Sequence, residues 1–412
     1  MVLSFIDYVF LFYTFIGLYM ISLMILVYFP NRKEMFYHPK GKPCPVSIVV
    51  SCYNAASNIG NLVKRLQNLD WPKDMIEIII VDDCSTDGSQ EIIKKYAKKY
   101  DNIRYILREK NFGRAAGPLN QGIKIAKYDY IVVCDDDSDP DRDALKKMIG
   151  FIQEDKDIKG VTSSVLVRNP KKFIEKLQAI EYVVIAFARK LLDFVDAVYV
   201  TPGPFALYEK KALMEVGLFD EENMTQDIEI VWKLMSYGYK ARMSLDARTY
   251  VDSPKNKKSW WKQRIRWNIG GMQTLWKYRG WTFRKSMLGL FVIPFFSFSA
   301  FVGIFGVGIL TYLTAQRFLS TYFTTTSLSG AEVPILVFQG ISINPSIVNF
   351  FGFSLFILGT LYIIFGISTM KELRAEYIDF YSMTAFLTIY LTVFPLNLIH
   401  SFVKMARRNY SW

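Results

Sequence analysis

The stretch that decides how this chain is read is Ile131-Val132-Val133-Cys134-Asp135-Asp136-Asp137-Ser138-Asp139-Pro140. A short β-branched run suited to a buried strand ends in four carboxylates within five residues. An unpaired carboxylate is costly to bury, so the run must stop at a surface and against cations. Two readings fit such a turn. It is either a solvated acidic loop or a divalent-metal site at the carboxyl end of a strand, where open α/β sheets bind their ligands.

The segments on either side alternate strand and helix patterns. Val46–Val50, Ile76–Val81, Ile103–Leu107 and Tyr130–Cys134 read as strands, with helical stretches through Leu62 and Leu66, through Ile92 to Ala97, and from near Pro118. That alternation predicts parallel βαβ units and a nucleotide-binding-type α/β sheet. Neither GxGxxG nor a P-loop occurs, which disfavours dinucleotides and P-loop chemistry. Three acidic sites fall at or just beyond strand ends: Asp82-Asp83, Asp135 to Asp139, and Thr225-Gln226-Asp227. Carboxylates without a glycine-rich phosphate loop suit a metal-bound nucleoside diphosphate. A hard cation takes carboxylate oxygens on one side and phosphate oxygens on the other. A further carboxylate left free of metal can act as general base. Asp139, Asp141 and Asp143 are expected as acids at a helix N-terminus, where the macrodipole favours them.

Charge and hydropathy divide the chain. Of 412 residues, 51% are hydrophobic and 16% aromatic, but between Ser286 and Met370 the only charged side chains are Arg317 and Glu332. The expected organisation is therefore an N-terminal anchor (1–30), a cytoplasmic domain (31–256), a membrane-interface helix (257–285) and a C-terminal transmembrane domain (286–412). Tyr8–Phe29 carries no charge and is followed by Asn31-Arg32-Lys33, which places the first domain inside by the positive-inside bias. Further spans are expected near 286–313, 346–368 and 380–405, with Met287–Phe296 read as re-entrant or interfacial on account of Pro294. Three later passes would leave the C-terminal side outside, whereas Lys404-Met405-Ala406-Arg407-Arg408 points inside, so the count stays open by one.

Two segments are amphipathic rather than spanning. In Phe173–Val195 apolar residues recur every three or four positions, and Lys257–Arg279 sets Trp260, Trp261, Trp267 and Trp276 among seven Lys and Arg. Both fit either a core-facing helix or one lying in the membrane interface, the second pattern more strongly so. The net charge of +12 lies around these apolar segments and the acidic cluster, so anionic lipid and a phosphate-bearing substrate are the expected partners, not nucleic acid. Cys44, Cys52, Cys84 and Cys134 form no CxxC pair, which excludes a zinc ribbon and favours reduced thiols in a cytosolic compartment.

The order of motifs resembles that of the processive, membrane-embedded family 2 glycosyltransferases, the cellulose, chitin, hyaluronan and bacterial poly-N-acetylglucosamine synthases. The resemblance runs from about Pro45 to Gly280. It implies a GT-A-type nucleotide-sugar-binding domain with a mostly parallel sheet, interfacial amphipathic helices and an α-helical membrane domain. It further implies a multi-pass plasma-membrane enzyme that moves a sugar from a UDP-sugar to a polysaccharide or lipid acceptor, with Mg2+ or Mn2+. Ser51-Cys52-Tyr53-Asn54 is similar to the family's first-strand turn, and Asp82-Asp83 to its uracil motif, in which Asp83 contacts the base. Asn111-Phe112-Gly113-Arg114 looks like the loop whose basic residue approaches the diphosphate. Asp135 and Asp137 occupy the acid positions of DxD and so are implied metal ligands. Asp227 matches the general base of TED, with Gln226 replacing the middle acid. Gln263, Arg264, Arg266 and Trp267 match QxxRW, implying diphosphate contacts and, for Trp267, stacking at the acceptor. Tyr199–Phe205 is either a tight turn or an acceptor loop, with Gly203 and Phe205 as acceptor contacts. Gln339, Asn344 and Asn397 are candidates for a polar path through the membrane. The competing functions are single-sugar transfer to a polyprenyl phosphate or lipid, and a non-catalytic membrane transporter, which leaves the three aspartates without a task.

Overall fold

A computed structural model of the protein describes residues 5–329, 347–370 and 378–408; Gln339 and Asn344 lie outside the described residues. Eight strands form one sheet: β1 (Val46–Cys52), β2 (Ile76–Asp82), β3 (Ile103–Leu107), β4 (Tyr130–Asp135), β5 (Asp139–Pro140), β6 (Ile158–Val167), β7 (Ala206–Glu209) and β8 (Lys240–Val251). Their order is β3-β2-β1-β4-β7-β6-β8-β5. The pairs β1/β2, β1/β4, β2/β3 and β6/β8 are parallel, while β7 and β5 pair antiparallel. β2 is buried along its whole length and β1 nearly so, which is why both are rich in Val and Ile on either face, with Ser47 donating to Glu77 across the pair at 2.7 Å.

The helices are α1 (Phe5–Asn31), α2 (Ile59–Gln67), α3 (Ser89–Lys99), α4 (Ala116–Ile125), α5 (Lys146–Glu154), α6 (Phe173–Asp193) and α7 (Lys210–Glu215). They continue with α8 (Gln226–Ser236), α9 (Lys257–Tyr278), α10 (Ile293–Ser329), α11 (Ile347–Thr369), α12 (Phe380–Ala385) and α13 (Leu391–Ala406). The chain runs outward from β1 to β3 and then crosses back to β4 on the other side of β1. The crevice at the carboxyl ends of β1 and β4 is therefore the sheet's switch point, the place where such sheets bind ligands.

One face of the sheet carries a core closed by α2, α3 and α5. On the other face the core runs without a break from Val49 and Val133, through Ile180, Trp232 and Trp260, to Leu288, Ile367 and Tyr390. The sheet and the apolar helices thus share one packed interior. α6 lies between them. Its Phe187 ring meets Tyr28 of α1 and Tyr362 and Phe365 of α11, and a Cβ on Gly366 would come within 2.8 Å of that ring.

Among the described residues, Asp7–Asn31 and Leu288–Phe323 are long and apolar enough to cross a membrane. Phe380–Tyr390 and Val393–Ala406 qualify together but bend by 44°. The expected break near Pro294 does not occur. A π-helical turn at Leu288–Val292 widens the helix just before the proline, and the chain continues into α10. A second π-turn, Phe386–Tyr390, sits at the bend between α12 and α13. Asp139 does not open a helix either. It pairs with Tyr250 in β5 and is held by Arg65 and Arg168, and α5 begins only at Lys146.

Candidate active site

The loops after β1 and β2 are laced together at the switch point. Asn54, at φ +50°, receives a hydrogen bond from the Thr86 amide at 2.9 Å, and its own amide donates to Ser85 Oγ at 2.9 Å. Asp82 is fully buried and serves as a cap, accepting from Ser85 N at 3.0 Å and Gln90 Nε2 at 2.8 Å. Asp83 instead faces the cavity, where both its oxygens accept from the Phe112 amide, at 2.9 and 3.1 Å, with Arg108 at 3.4 Å. Arg114, on the same loop, donates to the Glu221 carbonyl at 3.0 Å.

The strand ends, α6, α8 and α9 enclose one cavity of about 800 Å3. Tyr53, Asp83, Arg114, Asp135, Asp137, Gly203, Asp227, Gln263, Arg266 and Trp267 all line it. Two of the expected residues do not. Phe205 is 0% exposed inside the core, because it closes the short 3-10 turn Gly203–Phe205 that feeds the buried strand β7. Arg264 is 1% exposed and forms an ion pair with Glu181 of α6, away from the cavity wall. Successive helix residues diverge by ~100°, so Gln263, Arg266 and Trp267 share the cavity face while Arg264 turns toward α6.

The carboxylates crowd one another. Burial, reinforced by Asp137, Asp136 and Asp227, pushes Asp135 up to about 8. Burial and Asp137 push Asp136 up to about 7, and burial raises Asp137 with help from Asp252. Arg266 opposes the shift at both Asp135 and Asp137. Gly203 is required here, since a Cβ at that position would lie 2.8 Å from Asp135 Oδ1. Among the described residues no three His, Cys, Asp or Glu side chains converge closely enough to hold a metal ion by themselves. The donors at this edge are hard carboxylate oxygens in mutual repulsion, which a divalent cation with additional oxygen ligands would relieve.

Asp227 sits in the first turn of α8, where Thr225 is the N-cap residue. Its carboxylate accepts from the Ile228 amide at 3.1 Å. Burial raises its pKa, and Arg266, the two nearby backbone N–H groups and Arg189 pull the other way. α9 comes close to this turn because residue 270 is glycine; a Cβ there would lie 2.1 Å from Thr225 Oγ1. Trp267 stands beside Tyr182 of α6 (6.4 Å between ring centroids), with the Arg264 guanidinium 3.9 Å from its ring centre. Tyr182, Ile185, Ala186 and Arg189 give α6 a wall of the cavity, which the sequence reading left unassigned. Their i, i+3, i+4, i+7 spacing was the available signal.

The model of Glycosyl transferase family 2 matches residues 47–217. Poly-beta-1,6-N-acetyl-D-glucosamine synthase of Staphylococcus aureus (strain COL) is 31% identical over 301 residues, 71% of this chain and 72% of that protein. The chain belongs to glycosyltransferase family 2. A synthase of the same name from Staphylococcus epidermidis is 32% identical over 251 residues, and there the match spans 61% of this chain and 60% of the relative's length. The mannosyltransferase PcManGT of Pyrobaculum calidifontis, solved in complex with GDP-Man and Mn2+, superposes with a TM-score of 0.61 at 17% identity. That likeness covers 98% of this chain and 99% of the other, so the likeness in fold takes in the apolar helices as well as the GT-A-like sheet domain. The cavity of this chain brings together Tyr53, Asp83 and Arg114, the carboxylates of Asp135, Asp137 and Asp227, and Gln263, Arg266 and Trp267.

Proposed function

We propose that this family 2 glycosyltransferase moves a sugar from a UDP-sugar to the hydroxyl end of a growing polysaccharide, with inversion, and hands the product to its own membrane helices. N-acetylglucosamine is the donor sugar favoured by the names of the relatives. The observation that carries the reading is the shared cavity: Asp227, Arg266 and Trp267 meet Asp135 and Asp137 within about 800 Å3, against helices that also pack on the apolar segments.

Asp135 and Asp137 would hold Mg2+ or Mn2+, whose chemistry is to offset charge growing on the departing diphosphate. Asp83 and Tyr53 bracket the nucleoside, and Arg114 and Arg266 face the phosphates with guanidinium forks suited to phosphate oxygens. Asp227 takes the proton from the acceptor hydroxyl as that oxygen attacks the anomeric carbon. Trp267 and Tyr182 supply flat surfaces for a sugar ring.

The chain is a multi-pass membrane protein in this reading, with the sheet domain cytoplasmic. α12 and α13 are interfacial rather than spanning. Asp379, at the start of α12, pairs with Lys176 of α6 at 2.6 Å, and His400, late in α13, accepts from Trp261 of α9 at 3.0 Å. Both ends of the bent pair thus lie on helices of the catalytic side. That arrangement supports α1, α10 and α11 as the passes and agrees with the basic Lys404–Arg408 side being inside.

The test is UDP release by the purified protein with Mn2+ and a panel of UDP-sugars. Release with UDP-N-acetylglucosamine that disappears in Asp227→Asn is expected. Release that survives the substitution removes Asp227 as base, and no release from any UDP-sugar removes the donor class.

A further inference from the structure

The cavity contains a cation that the proposed mechanism does not use. Arg189 of α6 lines it and is 8% exposed. Among the described residues its guanidinium makes no ion pair, and its buried Nε has no hydrogen-bond partner. Leaving a buried charged donor unsatisfied is costly, so the group calls for oxygen ligands supplied from the cavity. Its neighbours on α6 are Tyr182, Ile185 and Ala186, which face the same space as Trp267.

Of the arginines that line the cavity, Arg114 donates to the Glu221 carbonyl, and Arg189 and Arg266 are differently placed. The charge of Arg266 reaches Asp135, Asp137 and Asp227, as a group between donor and acceptor must. The charge of Arg189 is felt at Asp227. Even so, Arg189 and Asp227 do not close into an ion pair. A base tied up in such a pair would be poorly placed to take a proton. A cation and a base held apart across a water-accessible cavity instead leave room for a ligand that donates to one and accepts from the other.

Resting on the glycosyltransferase reading above, we propose that Arg189 is an acceptor-binding residue, donating hydrogen bonds to oxygen substituents of the terminal sugar whose hydroxyl faces Asp227. The ligand class is a hydroxylated or N-acylated sugar end. The site selects it by offering a guanidinium and a carboxylate in a cavity that the rings of Tyr182 and Trp267 also line.

The test is a two-substrate kinetic series on the full-length protein with an N-acetylglucosamine oligosaccharide primer and UDP-N-acetylglucosamine. Arg189→Gln is expected to raise the primer KM about tenfold or more, the loss associated with one charged hydrogen bond, with donor KM within about twofold of wild type. Arg189→Lys, which keeps the charge and loses the fork, is expected to fall between. Calorimetric UDP binding in Mn2+ reports that each variant retains its fold. A primer KM unchanged in Arg189→Gln overturns the proposal alone, and so does an equal rise in donor KM, which would assign Arg189 to the diphosphate. A wild-type enzyme that extends no saccharide primer overturns both this assignment and the reading it rests on.

Discussion

Arg264 of α9 and Glu181 of α6 form a buried ion pair, and the pair ties these two helices to the bend between α12 and α13. Tyr390, at the π-turn, donates to the same Glu181 oxygen at 2.7 Å and accepts from Trp260 Nε1 at 2.6 Å. The Arg264 guanidinium also stands over the rings of Trp267 and Trp260, at 3.9 and 5.6 Å. Removing one partner strands the other charge in a dry interior, a loss of about 3–5 kcal/mol. Arg264→Gln and Glu181→Gln are therefore each expected to lower the unfolding midpoint strongly. The double replacement by Arg264→Met and Glu181→Leu should recover much of the loss. A single variant as stable as wild type would show that the pair is not needed for the packing of α6 on α9.

Gly203 makes a narrower expectation. A methyl group there would lie against Asp135 Oδ1 and Oδ2, at 2.8 and 2.9 Å. Gly203→Ala should weaken divalent-cation and donor binding by an order of magnitude or more, through displacement of that carboxylate. The same change at Gly271, where a Cβ meets nothing within 4 Å, should leave both intact. Calorimetric titration with Mn2+ and UDP separates the two.

The carboxylate cluster sets a pH dependence whose sign can be stated. Asp135 is raised to about 8 and Asp136 to about 7, with Asp137 and Asp227 also raised, all chiefly by burial. The folded state then binds more protons than the unfolded state between roughly pH 4 and 8, so cation-free stability falls as pH rises through that window. A cation needs the carboxylates ionised, so its binding releases protons and strengthens with pH. Melting temperatures at pH 6 and 8, with and without Mn2+, should show a lower cation-free value and a larger Mn2+ shift at pH 8. Equal shifts at the two values would remove the cluster as the cation's site.

The interfacial placement proposed for α12 and α13 would put Arg408 on the cytoplasmic side. In right-side-out vesicles, Arg408→Cys should resist a membrane-impermeant maleimide until the membrane is opened. The native cysteines Cys44 and Cys84, both partly exposed on the sheet domain, should behave the same way. Labelling of Arg408→Cys in sealed vesicles, with the native pair protected, would make the bent pair a span.

Much of this was legible in the residues. β1, β2 and β4 announce themselves because strands buried on both faces are rich in Val and Ile, and the acids that end β2 and β4 mark the carboxyl edge. Less legible was what a contiguous motif does once it is wound into a helix. Reading Gln263 to Trp267 as one unit sent Arg264 to the diphosphate, when the helical turn carries it to Glu181. Phe205 was misplaced because it ends a tight 3-10 turn and enters the core with β7, while Gly203 at the start of that turn stays on the cavity. Arg189 was visible only as one cation in an amphipathic stripe, because periodicity gives a face and not what that face meets. The bend at Tyr390 depends on contacts between residues 209 positions apart, and no local pattern carries that.

The central claim is repeated glycosyl transfer in this one cavity. The direct measurement is to incubate the purified full-length protein in lipid vesicles with radiolabelled UDP-N-acetylglucosamine and Mn2+, and to size the product. A long saccharide, absent in Asp227→Asn and in excess EDTA, is the expected result. A single labelled sugar on a lipid, or undiminished product from Asp227→Asn, would contradict it.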